Sequence, residues 1–154
     1  MKLLDTLWWL GYTLVGICIQ LVLPGMDALA PGLLIALQEG RNWTFARLAV
    51  IFLLIQEGAG SMHFGAGILW YAGFAVIFTC SARLFVADNL LFVAGLSAGL
   101  GAWRAAVQLF MCAVQDIPVD HGLLLQESLL QALLIPVIWT LALRLRPKRL
   151  RHVH

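Results

Sequence analysis

Arg104 is the residue best placed to do chemistry, because it stands near the middle of an apolar run, residues 90–114, where a guanidinium is costly to bury. It lies too far from either end of that run to extend fully into water. A charge so placed serves either a ligand or partner contact or an internal pair, and the paired role is the commoner one for buried charges. Glu127, at the start of the last apolar run, is the leading partner. At about 1.5 Å per residue, Arg104 lies roughly 9 Å deeper than Glu127, a gap two extended side chains just bridge. Carbonyls near Gly99 and Gly101 are the alternative acceptors.

A second candidate is the stretch 56–65, in which Glu57 ends an apolar run and Gly58, Gly60 and Gly65 follow. A carboxylate at a helix C-terminus faces the negative end of the macrodipole, which disfavours it by a few tenths to about 1 kcal/mol. The glycines allow backbone shapes and close approaches that larger residues forbid. An acid kept in a poor place beside an adaptable turn points to a partner-binding surface, and a plain tight turn with a solvated Glu57 is the bland alternative. Gly95 and Gly99 form a G-x-x-x-G spacing that suits close helix packing, here read as mostly internal.

Other constellations are missing from the sequence. His63 and His121 fall in expected loops and His152 and His154 in the tail, so no histidine pair is placed for a haem or metal. Cys18, Cys80 and Cys112 lie within apolar runs and read as small hydrophobes. No H-E-x-x-H, G-x-S-x-G or Ser/His/Asp arrangement occurs. The expectation is a protein with no catalytic residue, no cofactor and no metal.

The elements that must position these residues are set by composition: 62% of the residues are hydrophobic and only 12% charged, far from the balance of a soluble domain. Apolar runs cover residues 7–23, 28–37, 45–55, 64–82, 90–114 and 123–143. A span of about 30 Å needs roughly 20 helical residues, so the first, fourth, fifth and sixth qualify unaided. The second and third cross only if Pro31, Gln38, Glu39, Arg47 and Gln56 are buried against protein or held at the interface. The predicted fold is all-α, a polytopic transmembrane bundle of about six helices, one domain over 1–154 with a short basic tail.

Basic residues accumulate on the cytoplasmic side. With six spans and an inner N-terminus, Lys2, Arg41, Arg47, Arg83, Arg144, Arg146, Lys148, Arg149 and Arg151 all fall inside, while the outer segments 24–31, 58–63 and 115–122 hold no Lys or Arg. Both termini are therefore expected in the cytoplasm, and the net charge of +2 is no nucleic-acid signal. The triplet Ala28-Leu29-Ala30 resembles a signal-peptidase site, but Pro31 directly after it opposes cleavage, so the first run is expected to be kept as a span.

The stretch 53–65, L-L-I-Q-E-G-A-G-S-M-H-F-G, resembles the MreD family of bacterial rod-shape proteins, whose pattern is close to G-L-x-x-D-x-x-S-G-x-x-x-G. Glu57 matches the acidic position, Gly58, Gly60 and Ser61 the turn, and Gly65 the opening of the next helix. The short second segment after Pro24, the overall length and the Arg-rich tail are also similar. Glu in place of Asp, and Met62-His63-Phe64 before Gly65, depart from the pattern. The resemblance implies a non-enzymatic scaffold of the bacterial inner membrane, supporting cell shape and lateral peptidoglycan synthesis. Its implied partners are an MreC-like protein and, through it, RodA and a transpeptidase. It also implies a fold shared with the substrate-binding subunits of energy-coupling-factor vitamin transporters, so a small-molecule-binding transporter subunit is the alternative. For that role Trp70, Tyr71, Gln115, Asp116 and Glu127 would have to converge. A quinone-facing accessory subunit is a third, smaller alternative.

Overall fold

The computed structural model describes residues 2–58, 65–82 and 90–147. Six helices follow one another: α1 Lys2–Val22, α2 Ala30–Gln38, α3 Asn42–Gly58, α4 Ala66–Ala82, α5 Leu90–Val114 and α6 His121–Leu145, with no strand among the described residues. The all-helical bundle expected from the apolar runs is the fold observed. Leu3–Val22, Leu91–Val114 and His121–Leu145 are long and apolar enough to cross a membrane. The fourth run was also expected to span unaided, but its helix opens only at Ala66 and has 17 residues, about 25 Å.

The helix ends follow from local chemistry. The Asp120 carboxylate accepts from the Gly122 and Leu123 amides and caps α6. Gly40, at φ +63, ends α2 with Arg41 N donating to Ala36 O and Gly40 N to Leu37 O, the paired bonds of a Schellman cap. Pro136 lies inside α6 and has no N–H to offer the Ala132 carbonyl one turn earlier, and Thr140 Oγ1 donates to the Pro136 carbonyl.

Packing places α2 at the bundle axis. Ala30 to Ala36 are all buried, and Leu33, Leu34 and Ile35 are wholly inaccessible beside Phe52, Trp70, Phe74 and Ile135. The α5 and α6 backbones approach closely at Gly101, where a Cβ would stand 2.9 Å from Ser128 O and 3.0 Å from Ala132 Cβ. Gly95, by contrast, has open space around it and Gly99 only Ile77 at 4.0 Å, so the small-residue stripe expected to pack internally faces outward instead.

The second crossing is made jointly by α2 and the chain before it. Gly25 sits beside Arg104 and Glu127, Asp27 beside Gln131, Gln38 beside Trp139 and Glu39 beside Arg146. From Arg146 back to Ser128, α6 rises about 27 Å, so residues 25–39 descend through most of a bilayer although only nine are helical. That irregular stretch is tolerable because it is buried in protein rather than in lipid. The N-terminal end of α1 meets the C-terminal end of α6 through Asp5 and Arg146, which puts both at one end of the bundle, here called basal. The turn at Gly25 and the α5–α6 connection lie at the opposite, distal end.

Candidate functional site

Asp27, which sequence reasoning did not single out, is the centre of the distal polar network. Its side chain is 1% exposed overall, and Oδ1 accepts from Leu29 N at 2.9 Å and Ala30 N at 3.1 Å, holding the start of α2. Oδ2 accepts from Trp70 Nε1 at 2.7 Å, and Gln20 Nε2 reaches Oδ1 at 3.4 Å. The Asp27 backbone is clasped by Gln131, which accepts from its amide at 2.8 Å and donates to its carbonyl at 3.0 Å. Tyr71 brings its phenol beside Asp27 and Gln56, and Tyr12 donates to Ala28 O at 2.9 Å. A lone acid between Pro24-Gly25 and Pro31 carried the sequence signature of a helix start, an Asp ahead of a first-turn proline. Nothing in the local pattern pointed to Gln131, 104 residues away.

Arg104 is buried, at 5% exposure, but it turns to the Gly25 carbonyl and not to Glu127. Its Cζ lies 5.6 Å from the Trp70 ring centroid, so a cation–π contact adds to the carbonyl bond. Glu127 accepts from Gln108 Nε2 at 3.3 Å, and its carboxylate lies so close to Gly25 that a Cβ there would collide with it. The expected Arg104–Glu127 pair is replaced by two separate contacts on one turn. The reason is steric: the chain at Gly25, with φ +86 and no side chain, offers Arg104 a nearer acceptor. Helix counting from the run ends could not see this turn folding in.

Glu57 is placed at the junction of α3 and α4, where its Oε1 accepts from Gly65 N at 3.1 Å, and Gly67 lies just beyond. The carboxylate therefore sits at the N-terminus of α4, whose positive dipole end offsets the unfavourable end of α3. Gly58 is exposed and Gly65 has φ +84, while Gly60 and the rest of 59–64 lie outside the described residues. Of the residues considered for a small-molecule pocket, Trp70 and Tyr71 converge on Asp27, whereas Gln115 and Asp116 are exposed at the α5–α6 connection.

A second polar cluster, also unforeseen, closes the basal end. Arg146 Nη2 meets Glu39 Oε2 at 2.8 Å and Asp5 Oδ1 at 3.5 Å, and its side chain is wholly buried. Its Cζ lies 4.7 Å from the Trp8 ring and 5.2 Å from Trp9. Arg41 forms a two-pronged pair with Asp5, with Nη1 to Oδ1 at 2.9 Å. The hydrogen bonds that Arg41 donates to Asp5 raise its pKa above the ordinary guanidinium value, whereas burial lowers that of Arg146. Three helices, α1, α2 and α6, are thus tied at one point.

Among the described residues, no group of three or more His, Cys, Asp or Glu could hold a metal ion. Leu69, Trp103, Ala106, Val107 and Phe110 line an apolar groove of about 340 Å³ between α4 and α5. Together, the three long apolar helices and the all-helical fold define an α-helical membrane protein. No protein-family model matches the chain, and no curated protein or solved structure is significantly similar to it.

Proposed function

We propose that this chain is a non-enzymatic scaffold of the bacterial inner membrane, in the manner of the MreD proteins that its 53–65 stretch resembles, joined to an MreC-like protein and through it to RodA and a wall-synthesising transpeptidase. The observation that carries the reading is the filled interior. Leu29, Leu33, Leu34, Ile35, Phe52, Trp70 and Phe74 are wholly inaccessible along the axis, where a substrate-binding subunit would need its cavity. With the interior occupied, the surfaces left for work are the loops and the lipid-facing helices. The basic residues of the sequence, collected on one side in the six-span arrangement, support a cytoplasmic position for both termini.

The test is recovery of the partner. Glu57→Ala and Gly60→Val should leave membrane insertion intact and abolish co-purification with an MreC-like protein. Full recovery with both variants would remove the 56–65 turn from the interface, and no recovery with the unaltered chain would end the scaffold reading.

The convergence of Asp27, Trp70, Tyr71 and Arg104 favours the vitamin-transport alternative to a degree. Asp27 and Trp70 are, however, bonded to each other, and the backbone around them to Gln131, which supports a structural use. Saturable binding of a vitamin to the purified protein, lost in Trp70→Phe, would reverse the preference.

A further inference from the structure

We infer that the distal tip of the α5–α6 hairpin is a docking surface for a protein segment that carries Lys or Arg beside apolar side chains. This deepens the scaffold reading and rests on it. Among the described residues, the tip extends past the turn at Gly25. Gly25, where the chain turns between α1 and α2, lies level with Arg104 and Glu127. From that level α5 continues for ten residues to Val114, about 15 Å, and α6 for six to His121, about 9 Å. Among the described residues, Ala66 at the start of α4 packs on this extension against Val107 and Met111, and Leu69 faces Val107 and Phe110 across the apolar groove.

Four apolar side chains of the tip are open. Phe110 is 56% exposed, Val114 63%, Ile117 39% and Leu123 51%. The basal boundary is marked by exposed Arg144 and by Trp43. A hydrocarbon core about 30 Å thick measured from Arg144 consumes about 20 residues of α6 and ends near Leu124. Val114, Ile117 and Leu123 thus lie at or past the level that lipid tails cover, and an apolar group of this kind beyond lipid marks an interaction surface.

Charge selects the occupant. Asp116 and Asp120 are exposed on either side of Ile117 in the α5–α6 connection, and the sequence from 105 to 143 holds no Lys or Arg. Anionic headgroups and a second copy of the same tip are both repelled by these two carboxylates. A segment with basic residues next to apolar ones is attracted by the first and buried by the second.

The test uses the full chain in phosphatidylcholine nanodiscs and two labelled helical peptides of equal length, one of Leu and Lys, the other of Leu and Glu. The Lys peptide should bind loaded discs at least tenfold more tightly than empty ones, and the Glu peptide should not discriminate. Asp116→Asn and Val114→Ser should each weaken the Lys peptide about fivefold or more, and raised salt should act in the same direction. Equal binding to loaded and empty discs, or no effect of either substitution, would overturn the proposal. A second arm places cysteine at Val114 or Leu123 with Cys18, Cys80 and Cys112 changed to Ala. Rapid labelling by a membrane-impermeant maleimide is expected, and protection by lipid would sink the docking surface. Should the tip fail while an MreC-like protein is still recovered, the scaffold reading stands and its interface lies elsewhere. Loss of that recovery removes the scaffold reading whatever the tip does.

Discussion

Asp27 concentrates more of the distal structure than any other side chain, because one buried carboxylate satisfies two backbone amides and an indole. Asp27→Ala strands those donors in a site that water does not reach, at about 1–3 kcal/mol for each stranded group. The expected outcome is loss of monodisperse protein from detergent extracts, with Asp27→Asn milder because its carbonyl still accepts. Size-exclusion profiles of the two variants check the order, and equal profiles would contradict it. Arg104 and Glu127 make a contrasting case. They make separate contacts around a shared neighbour, Gly25, with no ion pair between them, so the stability changes of Arg104→Gln and Glu127→Gln should couple only weakly in the double variant, by about 0.5–1 kcal/mol. A coupling well above that would restore a direct pair.

At the scale of elements, the α5–α6 crossing depends on one missing side chain. Gly101→Leu forces atoms toward Ser128 O and Ala132, where overpacking typically costs about 1–3 kcal/mol. Gly95→Leu meets open space and should shift the melting midpoint hardly at all. The pair of variants separates packing from sequence motif, since the G-x-x-x-G spacing predicts the opposite order. The α3–α4 junction shows the same dependence on neighbours. Glu57 looked misplaced while only the end of its own helix was considered, and becomes favourable once the N-terminus of α4 arrives beside it.

For the whole molecule, the basal cluster of Asp5, Glu39, Arg41 and Arg146 joins the two ends of the described chain. Arg146 is wholly buried and Arg41 partly exposed, so losing one is not equivalent to losing the other. Arg146→Leu leaves Glu39 and Asp5 short of a buried partner and should cost about 3–5 kcal/mol, the range for breaking one side of a buried pair. Arg41→Leu loses a more solvated pair and should cost clearly less. Thermal unfolding followed by circular dichroism ranks the two, and a smaller effect at Arg146 would show that the cluster does not hold α1 to α6.

The sequence by itself determined the helices, because a period of apolar residues long enough to cross a bilayer leaves the backbone no other way to satisfy its polar groups. It also determined that the basic residues other than Arg104 are expected at one end of the spans, since the cost of burying Lys and Arg is a local property of each residue. What only the tertiary structure decided is which polar groups meet. Gln131 and Asp27 are 104 residues apart, Trp139 and Gln38 are 101 apart, and Arg104 found a carbonyl rather than the acid nearest in the count. Those partners are chosen by the folding-in of residues 25–39 along the bundle axis. No helical period encodes that descent, because it is held by side chains from four other helices.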